Sequence, residues 1–187
     1  MTLVDLLEIA RISLTDLDLR SVTPININDP MDVKGSIAHR LTEQWLSRCS
    51  GVVFDQDFPR RINGYSLERR GSGIVVYEHR TPIHEYDILL SHDGQPVIVE
   101  VKSLKLNGLE AKIPQALRIG RDIYQTQNVL MLVFFPFYTN KIADAERIQE
   151  THPEVRCVNL GYKKKHIWQA VQRFYSDIGL KQPNLTL

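Results

Sequence analysis

The chain has 187 residues, a formal net charge of +1, 43% apolar residues and 24% charged residues. This length suits one domain with a single hydrophobic core, and the composition is that of a globular protein rather than a disordered or fibrous one. A net charge near zero excludes a protein that is basic throughout, although basic residues gathered on one face can still bind phosphate.

The number of cysteines and the length of the apolar runs further limit the class of protein. No apolar run approaches the roughly 20 residues of a membrane-spanning helix, so we expect no membrane partner. Cys49 and Cys157 are too few for a zinc ribbon or an iron–sulfur cluster, and they are typical of a reducing compartment. The first residues carry acids where a secretory signal would carry positive charge, so we expect a cytoplasmic protein.

The first half of the chain predicts helices followed by antiparallel strands. Residues 1–30 are expected to form a short helix and an irregular extension, and apolar residues at helical spacing predict a second helix over residues 32–49. A strand follows over residues 51–58. Asn63-Gly64 is a strong signal for a two-residue hairpin loop, and residues 74–77 are β-like.

The second half begins with a hairpin and then alternates helices with strands. His84 to Leu104 contains two predicted strands around Asp93-Gly94, another preferred two-residue loop. The later elements are a helix, a strand, a helix, a strand and a closing helix, over residues 110–127, 129–135, 141–150, 155–160 and 164–178. Antiparallel strands followed by crossover connections predict an α/β sandwich with a mixed central sheet flanked by helices.

A loop made of Asp93 and Gly94 fixes the pairing of the hairpin. Asp87 then lies opposite Glu100, and Glu85 lies opposite Lys102. Because side chains alternate between the faces of a strand, these four polar residues share one face. The opposite face is apolar and carries Tyr86, Ile88, Leu90, Val97, Val99 and Val101. A three-residue loop would shift this pairing.

Two facing carboxylates suggest a cation site. Opposed residues have Cβ atoms about 4.5–5.5 Å apart, and like charges there are destabilising. Mg²⁺ offsets such a cost, since it binds carboxylate oxygens and takes further ligands from water and substrate phosphates. Lys102 lies on the same face as Glu100, where it can orient or deprotonate a water or neutralise charge on a phosphate. The same side chains also fit a solvated sheet surface with weak ion pairs.

Asp87, followed by Glu100-Val101-Lys102 on the next strand and then by a helix and a strand, resembles the PD-(D/E)XK nuclease superfamily. The resemblance places a nuclease-like domain at residues 31–187 with its core at about 34–136, and implies a restriction-endonuclease-like fold. It implies a deoxyribonuclease in which Asp87 and Glu100 bind Mg²⁺, or Mn²⁺ as a substitute. It further implies that the carbonyl of Val101 contributes to the ion and that Lys102 serves the attacking water.

Two weaker matches concern the helices on either side of the hairpin. Gly35 to His39 is similar to the G-x-x-x-H element of RecB-type nucleases, which implies that His39 is a metal ligand. Archaeal Holliday-junction resolvases carry Glu at that position, and Glu43, one turn later on the same helix face, is the alternative. Gln115 sits where RecB-type enzymes carry a glutamine after the ExK strand, which implies a contact with DNA.

Basic residues flank the Asn63-Gly64 turn, and we expect them to contact the DNA backbone: Arg60, Arg61, Arg69 and Arg70. A solvated charged turn is the alternative. Cutting both strands of a duplex would need two sites, which agrees with a homodimer. Two other classes remain open at this point. One is a catalytically inactive nuclease-fold protein that binds nucleic acid or serves assembly, and the other is a structural or regulatory protein with an accidental resemblance.

Overall fold

The fold was analysed in a computed structural model, which describes residues 3–9, 12–103, 106, 108–137, 142–181 and 183. The helices are α1 (Leu3–Ile9), α2 (Pro30–Leu46), α3 (Leu109–Tyr124), α4 (Ile142–Thr151) and α5 (Lys164–Asp177). The strands are β1 (Val52–Phe54), β2 (Arg60–Ile62), β3 (Tyr65–Arg70), β4 (Gly73–Glu78), β5 (Thr81–Tyr86), β6 (Ile88–His92), β7 (Gln95–Val101), β8 (Leu130–Phe137) and β9 (Val155–Tyr162). Within the described residues, no helix is long and apolar enough to cross a membrane.

The central sheet has five strands in the order β1-β6-β7-β8-β9. β1, β6 and β7 pair antiparallel, whereas β7, β8 and β9 pair parallel. Helices α3 and α4 provide the crossovers before β8 and β9, because parallel neighbours cannot be joined by a tight turn. The prediction of an α/β fold with a mixed central sheet, antiparallel first and parallel later, is therefore confirmed.

Both faces of the central sheet are buried. One face, which includes Ile88 and Val99, packs with Ile37 of α2 and Phe174 of α5. The other face, which includes Ile98, packs with residues of α3 and of a second sheet. Burial on both faces explains why β6, β7 and β8 are apolar runs with few polar positions. Polar side chains at the ends of these strands are therefore exceptions to the pattern.

The second sheet has four antiparallel strands in the order β2-β3-β4-β5, and the chain forms it between β1 and β6. The predicted Asn63-Gly64 loop joins β2 to β3, and Arg60 pairs with Leu67. β5 pairs with β4, so that Glu85 lies opposite Val75. The chain reaches the central sheet again at Ile88, where β6 begins.

The pairing of Glu85 with Lys102 and the placement of Tyr86 on the Ile88 face were wrong. The stretch from His84 to His92 is two strands separated by a bend at Asp87, and each strand belongs to a different sheet. The hydroxyl of Tyr86 donates to the carbonyl of Ala116 on α3 at 2.7 Å, which holds this residue on the α3 side. Tyr86 consequently packs in the cluster of Ile98 rather than in that of Ile88.

The predicted hairpin register is confirmed along the paired part of β6 and β7. Asp93 and Gly94 both have positive φ values, 48° and 82°, as a two-residue turn of this class requires. The ladder runs from His92↔Gln95 to Ile88↔Val99. It ends one residue before Asp87 and Glu100, at the junction between the two sheets.

Candidate active site

Asp87 is held at the junction between the two sheets by contacts from both sides. Its Oδ2 accepts a hydrogen bond from the backbone N–H of Val101 at 2.6 Å, next to the motif residue Glu100. Its carbonyl oxygen lies 3.0 Å from Nε2 of His39 on α2. A carbonyl oxygen only accepts, so the His39 ring must carry its proton on Nε2 in this contact. Asp87 is thereby fixed between α2 and the end of β7.

Glu100 and Lys102 form a close pair at the end of β7. The Lys102 ammonium contacts Oε1 of Glu100, and only 13% of the Glu100 side chain is exposed. Burial raises the pKa of Glu100, the nearby Asp87 carboxylate raises it further, and the Lys102 ammonium opposes both effects. The structure thus brings together Asp87, Glu100 and Lys102. Lys102 also continues the sheet, because its N–H donates to the carbonyl of Phe134 at 2.7 Å.

His39 and Glu43 lie on one face of α2, as predicted, but they play different parts. His39 is buried, and its Nε2 is hydrogen-bonded to the Asp87 carbonyl. Glu43 lies 3.8 Å from His39 Nδ1 through its Oε1, and its other oxygen accepts from Arg40 at 3.3 Å. Glu43 also lines a cavity of about 290 Å³ together with Asp87. The side chain of Glu43, rather than the engaged Nε2 of His39, is presented to that cavity.

Glu100 lines a separate cavity of about 200 Å³ between β5, β7 and α3. Gln115 also lines it, and its side-chain amide donates to the carbonyl of Ile83 at 3.0 Å. The predicted glutamine therefore reaches the Glu100 side of the junction. His84 and Lys112 line the same cavity. Neither residue was predicted, since an isolated His on β5 and a Lys on a helix face carry no local signal.

The donor atoms fit Mg²⁺ in kind, because carboxylate oxygens are its usual protein ligands. Asp87 and Glu100 supply such oxygens, and Asp87 is fixed beside Val101 by the hydrogen bond from the Val101 N–H. Among the described residues, however, no group of three or more His, Cys, Asp or Glu side chains is arranged to hold a metal ion. The Lys102 ammonium compensates the charge of Glu100 instead. A cation at Glu100 would have to displace it.

The arginines predicted to bind DNA divide between the two faces of the second sheet. Arg60 forms an ion pair with Asp55, with Nη2 and Oδ2 2.5 Å apart. The guanidinium groups of Arg60 and Arg69 both lie over the Phe58 ring, at 5.4 Å and 5.6 Å from its centroid. Arg61 and Arg70 each come one residue after Arg60 and Arg69 on the same strands. Because side chains alternate between the faces of a strand, they lie on the opposite face of the second sheet.

Of these arginines, Arg69 lines the cavity that contains Asp87. Arg70 lies over the Tyr77 ring and is 3.8 Å from Glu68. The four side chains therefore do not form one continuous basic arm, because the strand pairing separates neighbours in sequence. Arg69 is the member of the set that lines a cavity together with a candidate catalytic residue.

Comparison with known proteins gives no family assignment: no protein-family model matches this chain, and no curated protein matches it.

Proposed function

We propose that this protein is a magnesium-dependent nuclease of the PD-(D/E)XK type that hydrolyses phosphodiester bonds in DNA. The observation that carries the proposal is the juxtaposition of the carboxylates of Asp87 and Glu100 with the Lys102 ammonium at the end of β7. The Glu100 carboxylate is nearly buried and has a like-charged neighbour in Asp87, which costs stability, and such costs concentrate at functional sites.

The order of elements also supports the proposal. Helix α2, the antiparallel strands β1, β6 and β7, helix α3 and the parallel strand β8 follow in the order that the resemblance implies. We propose that this part is a restriction-endonuclease-like core and that β2 to β5 are an insertion in it. The insertion ends at Asp87, so it brings its own side chains to the site.

The net charge of the site suits a phosphodiester only when a divalent cation is bound. Asp87, Glu100 and Lys102 together carry a charge of −1, which repels a phosphate. Asp87 and Glu100 would hold Mg²⁺, which when bound polarises a phosphoryl oxygen and lowers the pKa of a water. The charge would then be +1, opposite to that of the phosphodiester.

Lys102 would serve the attacking water once its ammonium is displaced from Glu100. Its ammonium would orient the attacking water and neutralise charge on the phosphate, and the proton that the water loses as its oxygen bonds to phosphorus passes to solvent. The bond from phosphorus to the leaving sugar oxygen breaks, and that oxygen takes a proton from solvent. His39 would position Asp87 through its carbonyl, and Glu43 would be the helix carboxylate that faces the same cavity.

Incubation with supercoiled, linear, single-stranded and four-way-junction DNA in the presence of Mn²⁺ tests the proposal. We expect the wild-type chain to cut at least one of these forms, and EDTA to stop cleavage. Absence of cleavage on all four forms would refute the assignment as an active nuclease.

The alternative is a nuclease-fold protein that binds nucleic acid without cutting it. The observation that favours it is the Lys102 ammonium seated on Glu100, which compensates the site without a metal. A thermal-shift titration with Mn²⁺, run beside Asp87→Ala, separates the two. An active site predicts a Mn²⁺-dependent increase in melting temperature that Asp87→Ala lacks. An inactive relative predicts no increase in either protein.

A further inference from the structure

Gly35 lies inside helix α2, where glycine is an unfavourable residue. The helix runs from Pro30 to Leu46, so Gly35 is in its second turn and away from either end. Glycine destabilises a helix interior relative to alanine, because its backbone loses more conformational freedom on folding. A glycine at such a position therefore calls for a packing reason or a functional one.

Packing does not account for Gly35. Its φ is not positive, so alanine can adopt the same backbone conformation. A Cβ atom on Gly35 would meet no atom within 4 Å among the described residues, apart from its chain neighbours and the backbone of α2 itself. On Gly120 of α3, by contrast, a Cβ atom would lie 3.4 Å from Cγ1 of Val129 and 3.5 Å from Cγ2 of Ile98. Close packing thus explains Gly120 but leaves Gly35 unexplained.

The open space over Gly35 lies on the face of α2 that is turned towards the candidate site. Gly35, His39 and Glu43 follow one another at intervals of four residues, so they lie along one face of the helix. Nε2 of His39 is 3.0 Å from the carbonyl oxygen of Asp87, and Glu43 lines the cavity that contains Asp87. Four residues of helix span about 6 Å. The open space is therefore about one helical turn from the contact with Asp87.

We propose that the backbone of the DNA strand that is cut passes over Gly35, and that the absence of a side chain there lets the strand come close to α2. This inference rests on the proposed function and names a substrate-contact residue for it. A rise of about 3.4 Å per nucleotide along one strand puts the space over Gly35 about two nucleotides from a phosphate bound beside Asp87. Glycine suits such a contact because it has no Cβ atom between the helix backbone and a ligand. A contact with the sugar-phosphate backbone positions the strand without reading its sequence.

Substitution of Gly35 distinguishes a functional glycine from a structural one. Gly35→Ala should raise Tm by about 1–4 °C in EDTA, because alanine favours the helix and its methyl group has room. Binding of labelled duplex and single-stranded DNA in Ca²⁺ is measured by fluorescence anisotropy. Gly35→Ala should bind about fivefold or more weakly than wild type, because the methyl group occupies space that the strand needs. Gly35→Leu fills more of that space and should weaken binding further.

Ser36→Ala is the matched control, because Ser36 is the next residue of α2 and lies about 100° around the helix axis. The substitution also favours the helix, but the variant should bind DNA as the wild type does. The Mn²⁺-dependent rise in Tm should be the same in Gly35→Ala and in wild type, because Asp87 and Glu100 are unchanged. On a DNA that the wild type cuts, Gly35→Ala should raise KM more than it lowers kcat.

The outcomes separate this contact from the proposed function. A Gly35→Ala variant that is less stable than wild type, or that binds DNA as tightly, would overturn the contact. If DNA is cut in an Asp87-dependent way while both Gly35 variants behave as wild type, the nuclease assignment stands without the contact. If no DNA is cut but both Gly35 variants bind DNA more weakly than Ser36→Ala, the contact stands and the protein is a binder. A wild type that binds neither form of DNA in Ca²⁺ would overturn both proposals.

Discussion

Replacing Glu100 by Gln should stabilise the metal-free protein at neutral pH. The substitution keeps the size of a side chain that is only 13% exposed and removes its charge. Burial and the Asp87 carboxylate, which both disfavour the charged form, outweigh the Lys102 ammonium, which favours it. The ionised carboxylate of Glu100 is therefore a net cost to the folded state, although it is paired.

The size of this effect follows from the like charge of the nearby Asp87 carboxylate. A charge pair on a sheet changes stability by about 0.2–1 kcal/mol, and 1 kcal/mol corresponds to about 2–4 °C in Tm for a chain of this size. We expect Glu100→Gln to raise Tm by about 0.4–4 °C at pH 8 in EDTA.

The effect of Glu100→Gln should depend on pH in a defined direction. The folded pKa of Glu100 lies above the ordinary value of 4.5. Below pH 4.5 the carboxyl is protonated in both the folded and the unfolded state, so the two proteins should have similar stability. As pH rises through the folded pKa, the wild type ionises and loses stability relative to the variant.

Thermal unfolding between pH 4 and pH 8, followed by circular dichroism in EDTA, measures this difference. Glu78→Gln, which removes an exposed carboxylate of β4, is the control for the loss of one negative charge. Saturating Mn²⁺ should reverse the order, because only the wild type retains both metal-binding carboxylates. A variant that is less stable than the wild type at pH 8 in EDTA would refute the reasoning, as would a difference that does not change with pH.

Three further substitutions test other parts of the site. Lys102→Ala should lower kcat much more than it weakens DNA binding in Ca²⁺, and a change in affinity alone would make Lys102 a phosphate contact. His84→Phe should keep the ring contact with Tyr86 and raise the free energy of unfolding by about 1 kcal/mol at pH 7, because it removes an unpaired buried nitrogen. Thermal unfolding measures this change. A loss of stability would show that the His84 nitrogen has a hydrogen-bond partner. Arg69→Gln should reduce the slope of log affinity against log salt for duplex DNA by about 0.9, whereas Arg61→Gln, on the other face of the second sheet, should leave it unchanged. A wild-type slope in Arg69→Gln would remove Arg69 from the DNA contact.

Much of the central sheet could be predicted because its signals are local. Asp93-Gly94 fixed the turn through two positive φ values, and the alternation on its two sides then fixed the register. The apolar run that became β8 and the helical period that became α3 depend on residues a few positions apart. The crossovers followed from the order of these elements.

The second sheet could not be predicted as a separate sheet, because its formation depends on distant pairing. Tyr86 and Ile88 alternate with Asp87 as if they belonged to one strand. The chain bends at Asp87 because β5 pairs with β4 and the Tyr86 hydroxyl binds the Ala116 carbonyl, 30 residues later. No pattern of residues within the His84–His92 stretch predicts the pairing with β4 or the hydrogen bond to Ala116.

The candidate site was also predictable only where its residues are joined by local signals. Asp87, Glu100 and Lys102 were expected together because one hairpin carries them, and the structure brings them together. His84 and Lys112 reach Glu100 only through the packing of β5 and α3. The division of Arg60 and Arg61 between two faces follows from strand pairing, which the charge cluster alone does not reveal.

The rate of DNA cleavage by the Asp87→Asn variant tests most directly the claim that Asp87 is a catalytic residue of a nuclease. The assay compares initial rates of wild type, Asp87→Asn and the control Asp57→Asn, an exposed aspartate, on the DNA form that the wild type cuts fastest in Mn²⁺. Asp87→Asn keeps an oxygen for the Val101 N–H, so the fold should persist and its circular dichroism spectrum should match that of wild type. The account predicts that Asp57→Asn cuts at the wild-type rate and that Asp87→Asn does not cut. Cleavage by Asp87→Asn at the wild-type rate would contradict it.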